Sequence, residues 1–160
     1  MDLTADEIAG VAGLFGGLTR AELTRALAEL AYKRGGTHDP ESFEPAVDRA
    51  VESYHLVAVE PDELRAEAPV LVPGPVAFPN PPAGADDLPH ILDVPERTVD
   101  RETAGRAAGE RLLAEAAAAV DDGDGDRVAE LIDVSYELEA WAGVDVATAR
   151  DRLAAFEDAR

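Results

Sequence analysis

Apolar residues recur at helical spacing through the first third of the chain. Behind Thr4, the residues Ile8, Val11, Ala12 and Phe15 fall at i, i+3, i+4 and i+7 and predict one buried helix face. Glu7 stands three residues after Thr4, the spacing of a capping box, and Gly16-Gly17 closes the run. Thr19 and Glu22 repeat that spacing, and Leu23, Leu27 and Leu30 line a second helix that stops at Gly35-Gly36. A third helix opens near Asp39-Pro40, with Phe43, Ala46, Val47, Ala50, Val51 and Tyr54 on one stripe. Pro45 is awkward inside it, and a start at Ser42 would move that proline into the first turn.

The period then changes. Leu56-Val57-Ala58-Val59 reads as a strand, expected to pair with Val70-Leu71-Val72 and Val76-Ala77-Phe78 across a polar stretch from Glu60 to Pro69. One acidic helical turn fits over Asp62–Glu67, and Pro73-Gly74-Pro75 breaks the returning strand into an edge or bulged one. Residues 79–99 hold five prolines. Leu88, Ile91, Leu92 and Val94 are too apolar for a free tether, so an ordered linker packed on the first unit is expected.

From Asp100 the helical period returns. Ala104, Ala107, Ala108, Leu112, Ala116 and Val120 mark a long helix ending in Asp121-Asp122-Gly123-Asp124-Gly125. Val128, Leu131, Ile132, Ser135, Leu138 and Trp141 mark the next. Asp145 caps a last helix with Val146, Ala149, Leu153 and Phe156 inward. The fold class expected is α+β, mostly α. Residues 1–78 form a unit with a β-hairpin, and 100–160 form a three-helix unit, the whole being short enough for one compact domain. Helix, helix, strand, loop, strand is the order of a winged-helix domain, so the N-terminal unit resembles that fold.

Charge changes the functional picture. Thirty-four acids against fourteen bases give a net charge of −20, and Lys33 is the only lysine. The excess is spread along the chain: 11 acids and 5 bases in 1–60, 8 and 2 in 61–100, 15 and 7 in 101–160. An acidic tail would be concentrated. Even acidity with little lysine resembles the cytoplasmic proteins of haloarchaea, where molar salt screens self-repulsion beyond about 3 Å. The absence of cysteine fits a reducing interior, and neither a signal peptide nor an apolar run long enough to span a membrane is evident. A cytoplasmic protein is expected.

The third helix would be the recognition helix of a winged-helix DNA binder. Its outward positions are Glu41, Glu44, Asp48 and Glu52, with Arg49 the only base. Such a face repels phosphate and suits a protein partner. The alternative nucleic-acid contacts are Arg20, Arg25, Lys33 and Arg34 on the preceding helix.

Catalytic and metal signals are weak. Asp122-Gly-Asp-Gly-Asp126 resembles the start of a calcium loop, but Arg127 occupies the sixth position, where glycine is needed, and Asp133 the twelfth. His38, His55 and His90 lack ligand spacing, leaving Asp87, His90 and Asp93 as the one set that a folded-back loop could gather. Ser42, Ser53 and Ser135 lie in no nucleophile motif, and Glu137 and Glu139 point to different helix faces. Trp141 reads as core joining the C-terminal helices, or as a partner anchor. No cofactor is expected, and no enzyme.

The start Met1-Asp-Leu-Thr-Ala-Asp-Glu, the run Leu18-Thr-Arg-Ala-Glu-Leu, the block Asp87-Leu-Pro-His-Ile-Leu-Asp-Val and Tyr136-Glu-Leu-Glu-Ala-Trp141 resemble the small acidic haloarchaeal families of unknown function. The resemblance implies a habitat and a single unit of organisation, not a mechanism. Together these features predict a non-enzymatic regulatory or interaction module, connected with transcription, whose partner is a protein or a second copy of itself. Direct DNA binding in molar salt is the alternative, and a small ligand- or metal-binding protein the third reading.

Overall fold

A computed structural model describes residues 2–62 and 64–160 and divides the chain into two compact units, 1–99 and 100–160. In the first, α1 (Ala5–Leu14) and α2 (Arg20–Lys33) each begin in a complete capping box. Thr4 and Glu7 satisfy each other's backbone N–H groups at 3.0 Å, and Thr19 and Glu22 do so at 3.2 and 2.8 Å. Each box satisfies two of the orphan donors at a helix start. Ile8, Val11 and Ala12 of α1 and Leu23, Leu27 and Leu30 of α2 are buried in a common core.

The third helix is split rather than continuous. Pro40–Phe43 forms a 3-10 turn, and α3 (Glu44–Glu52) then starts with Pro45 in its first turn, where a missing N–H costs nothing. Tyr54 closes it at φ 63°, a left-handed cap where glycine is usual, with His55 N–H donating to Ala50 O at 2.9 Å. That conformation costs a non-glycine residue about 1 kcal/mol. The Tyr54 side chain is fully buried, and that burial offsets the strain.

The sheet has three strands: β1 (Leu18–Thr19), β2 (Leu56–Val59) and β3 (Val70–Pro73), antiparallel in the order β1-β3-β2. Ala58 faces Leu71 and Val57 faces Val72, while Leu18 faces Leu71 on the other side. Two residues of β1 were not legible as a strand, because Thr19 also carries the cap of α2. The hairpin is shorter than its apolar pattern implied. Val76-Ala77-Phe78 does not join it, since Pro73-Gly74-Pro75 ends β3, and Phe78 is 80% exposed with its N–H donating to Asp6 Oδ1 at 2.9 Å. The turn expected over Asp62–Glu67 includes Glu63, which lies outside the described residues; Leu64 N–H donates to Pro61 O at 3.0 Å.

Residues 79–99 fold against this first unit. A 3-10 turn (Ala85–Asp87) leads into the single-turn α4 (Leu88–Ile91), and Ala85 and Leu88 enter the core completely, with Leu92 and Val94 packed beside it.

The second unit is three mutually packed helices, α5 (Arg101–Asp122), α6 (Gly125–Ala142) and α7 (Ala147–Asp158). Its core alternates small and large side chains. Ala104, Ala108, Leu112 and Ala116 of α5 pack with Val128, Leu131 and Leu138 of α6 and Ala149 and Leu153 of α7. Two aromatic residues expected inside are only half-buried. Phe156 lies under Arg160, and Trp141 under Arg101, whose guanidinium is 4.5 Å from the ring centroid and donates to Trp141 O. Trp141 thereby ties the end of α6 to the start of α5. The fold is α+β and mostly helical.

Candidate functional site

The acidic face stands on the 3-10 turn and α3. Glu41, Asp48 and Glu52 are exposed and Glu44 is half-buried. Arg20, the first residue of α2, reaches across to this face. Its Nη1 lies 2.9 Å from Glu44 Oε2 and 2.8 Å from Asp48 Oδ1. A cation is unfavourable at a helix N-terminus, and these two carboxylates compensate it. One member of the expected basic set is therefore absorbed by two members of the acidic set.

The remaining bases do not gather. Lys33 Nζ donates to Gly84 O at 3.0 Å and lies 3.7 Å from Asp87, while Arg34 Nη2 donates to Ala83 O at 2.7 Å. Both hold the 82–87 segment against the end of α2. Arg25 is exposed midway. Arg20 and Lys33 stand at opposite ends of a fourteen-residue helix, about 20 Å apart at 1.5 Å per residue. Side chains spent on carboxylates and carbonyls at that separation make a poor phosphate-binding surface.

A buried arginine holds the start of α2, and no sequence motif marks it. Arg97 has a side chain only 1% exposed. Its Nε donates to Leu64 O at 2.8 Å, Nη1 to Gly17 O at 3.2 Å and Glu22 Oε1 at 2.5 Å, and Nη2 to Arg65 O at 2.9 Å and Glu22 Oε2 at 3.2 Å. All five N–H groups are used, and the Glu22 pair is bidentate. The Arg97 N–H also donates to Phe15 O, and Arg65 Nη2 returns a bond to Glu96 O. The one available signal was scarcity, because Arg65 and Arg97 are the only bases between residues 61 and 100.

Burial alone would raise the Glu22 carboxyl, but the hydrogen bonds from Arg97 and Thr19 and the Arg97 charge hold it below its ordinary value of 4.5. A depressed carboxyl contributes stability that is present above the unfolded-state value and lost as pH falls through the folded one. The stability difference between the native chain and Glu22→Gln should thus be largest at neutral pH and shrink toward zero below about pH 4.5. Urea melts between pH 7 and pH 3 check this, and a difference independent of pH would refute it.

The histidines occupy three unrelated places. His90 is exposed, and among the described residues no three His, Cys, Asp or Glu side chains converge as a metal site, the Asp87, His90 and Asp93 set included. His38 packs edge-on to Phe43. His55 Nδ1 lies 2.6 Å from Ser53 Oγ and its Nε2 3.6 Å from Asp6 Oδ1. These are the residue types of a hydrolytic triad. Asp6 Oδ1, however, also accepts the Phe78 N–H, and Ser53 Oγ lies 3.2 Å from Ala50 O, so the group ties the start of β2 to α1. In the Asp122–Asp126 turn, Asp124 caps α6 through Arg127 N–H, and the Arg127 side chain pairs with Glu115 and Glu130. Ser135 is buried between Ile132 O and Arg150, whose guanidinium also meets Glu139. No helix among the described residues is long and apolar enough to cross a membrane.

The chain belongs to a family of unknown function, DUF7109, whose profile matches residues 6–158. No curated protein and no solved structure matches it.

Proposed function

We propose that this DUF7109 member is a non-enzymatic interaction module of a halophilic cytoplasm, in which a winged-helix-like first unit docks a basic protein surface on α3. The element order α1-β1-α2-α3-β2-β3 with strands arranged β1-β3-β2 supports the winged-helix reading. The observation that carries the functional part is the pairing of Arg20 with Glu44 and Asp48. It ties up the nearest cation of the neighbouring helix, and the face keeps more carboxylates (Glu41, Glu44, Asp48, Glu52) than bases (Arg20, Arg49). Carboxylates held on a rigid helix favour a cationic partner by complementarity, which sets specificity and encounter rate more than raw affinity. The even charge of −20 supports the salt habitat independently of the partner.

The test is an affinity pull-down in molar KCl, with and without nuclease, read by mass spectrometry. A stoichiometric protein that survives nuclease is expected, and the triple variant Glu41→Gln, Asp48→Asn, Glu52→Gln should lose it at least about tenfold, the scale of one interfacial charge pair. Recovery only of chromatin proteins, lost with nuclease, would instead establish direct DNA binding. Recovery of the chain alone, with a doubled mass in solution, would identify the partner as a second copy.

A further inference from the structure

A cleft of about 410 Å³ opens between the N-terminal segment and the start of α3. Leu3, Phe43, Pro45 and Ala46 supply its apolar wall, and Arg49 and His38 stand at its edge. The His38 ring is exposed and lies between Phe43 and Gly36. It packs edge-on to Phe43 with centroids 6.0 Å apart, and a Cβ at Gly36 would lie 3.1 Å from its ring atoms. Arg49, like the exposed Arg25 of α2, stands apart from the other bases of the first unit. Arg20, Lys33, Arg34, Arg65 and Arg97 of the same unit all donate to carboxylates or carbonyls. The Arg49 guanidinium has no hydrogen-bond or ion-pair partner among the described residues, in a chain where acids outnumber bases by 34 to 14.

We propose that this cleft binds a small monocarboxylate with an apolar or aromatic body. The guanidinium fork matches a planar carboxylate, and a ring N–H of His38 supplies a further donor at the same rim. The Ser42 hydroxyl donates to Asp39 O at 2.6 Å, so toward a ligand it can only accept. Asp2 also lines the cleft, and Glu41 and Asp48 stand on the neighbouring turns of the chain. Their charge penalises a second negative charge and selects a monoanion over a phosphate dianion. The apolar wall contributes by burying the ligand's body, and the volume suits a ring with a short side arm. The proposal does not rest on the protein-docking reading: Arg49 and the apolar wall hold the ligand, and Glu41 and Asp48 act on it only through their charge.

The experiment follows backbone amide resonances of the whole chain at constant ionic strength while 3-phenylpropionate, or its neutral analogue 3-phenylpropanamide, is added. The carboxylate should shift Leu3 and Ser42–Arg49 in a saturable way, and the amide should bind about tenfold more weakly. Arg49→Gln, a change at an exposed position that leaves the fold intact, should abolish that preference, whereas Arg25→Gln should retain it. Equal response to the two probes, an unchanged preference in Arg49→Gln, or the absence of saturable shifts around the cleft would each overturn the proposal.

Discussion

Replacing Arg97 with Met should destabilise the first unit by about 3–5 kcal/mol, the range for removing one partner of a buried ion pair. The methionine fills much of the volume but removes the donors that Arg97 supplies to the carbonyls of Gly17, Leu64 and Arg65, and it leaves the Glu22 carboxylate with its Thr19 contacts alone. Domains are stable by only about 5–15 kcal/mol in all, so a loss of this size is visible in a urea melt at pH 7. The loss should also be local before it is global. Leu64, Arg65 and the backbone around Arg97 meet the start of α2 through this side chain, and hydrogen exchange should accelerate there first. Pairing the change with Glu22→Gln tests the mechanism. The double variant should lose clearly less than the two single losses added together, because each single change strands the other charge. Additive losses would mean that Arg97 acts through packing alone.

Two glycine-to-alanine changes in helix interiors should have opposite signs. At Gly109 of α5 no atom stands within 4 Å of an added Cβ, so alanine should stabilise by about 0.5–1 kcal/mol through helix propensity. At Gly10 of α1 the same methyl would sit 2.3 Å from Pro81 N and 2.6 Å from Asn80 C. These are backbone atoms. They cannot rotate away, and Asn80 is held by its N–H bond to Asp6 O at 3.0 Å. Either α1 or the 78–82 segment must move, at a cost of about 3 kcal/mol or more, which exceeds the propensity gain. Melting temperatures of the two variants decide this, and a stabilised Gly10→Ala would mean that the segment docks more loosely than the packing implies.

Local structure was legible wherever a signal was local. The capping pairs Thr4–Glu7 and Thr19–Glu22, the buried faces of the first two helices and the glycine stops behind them act over three or four residues and occur as read. The limit appears where the partner is remote in sequence. Val76-Ala77-Phe78 has strand composition, yet it leaves the sheet because the chain beyond Pro75 is recruited by Asp6 of α1 instead. Phe156 and Trp141 fit an inward stripe, but each is half-buried beneath an arginine, a choice that depends on the chain's ability to bring Arg160 and Arg101 over the rings.

The candidate site divides in the same way. By itself the sequence determined that α3 would be acidic outside and apolar inside, because the period of charge and hydrophobicity is a property of consecutive residues. It also determined the evenly spread charge of −20 and the mostly helical class. Only the tertiary structure decided that Arg20 would pair with Glu44 and Asp48, that Lys33 and Arg34 would be spent on carbonyls fifty residues away, and that Arg97 would be buried while Arg49 stayed exposed. An arginine reads identically in sequence in all these roles. Its function is fixed by which carbonyls and carboxylates the folded chain brings within about 3 Å, and that distance is not a local quantity.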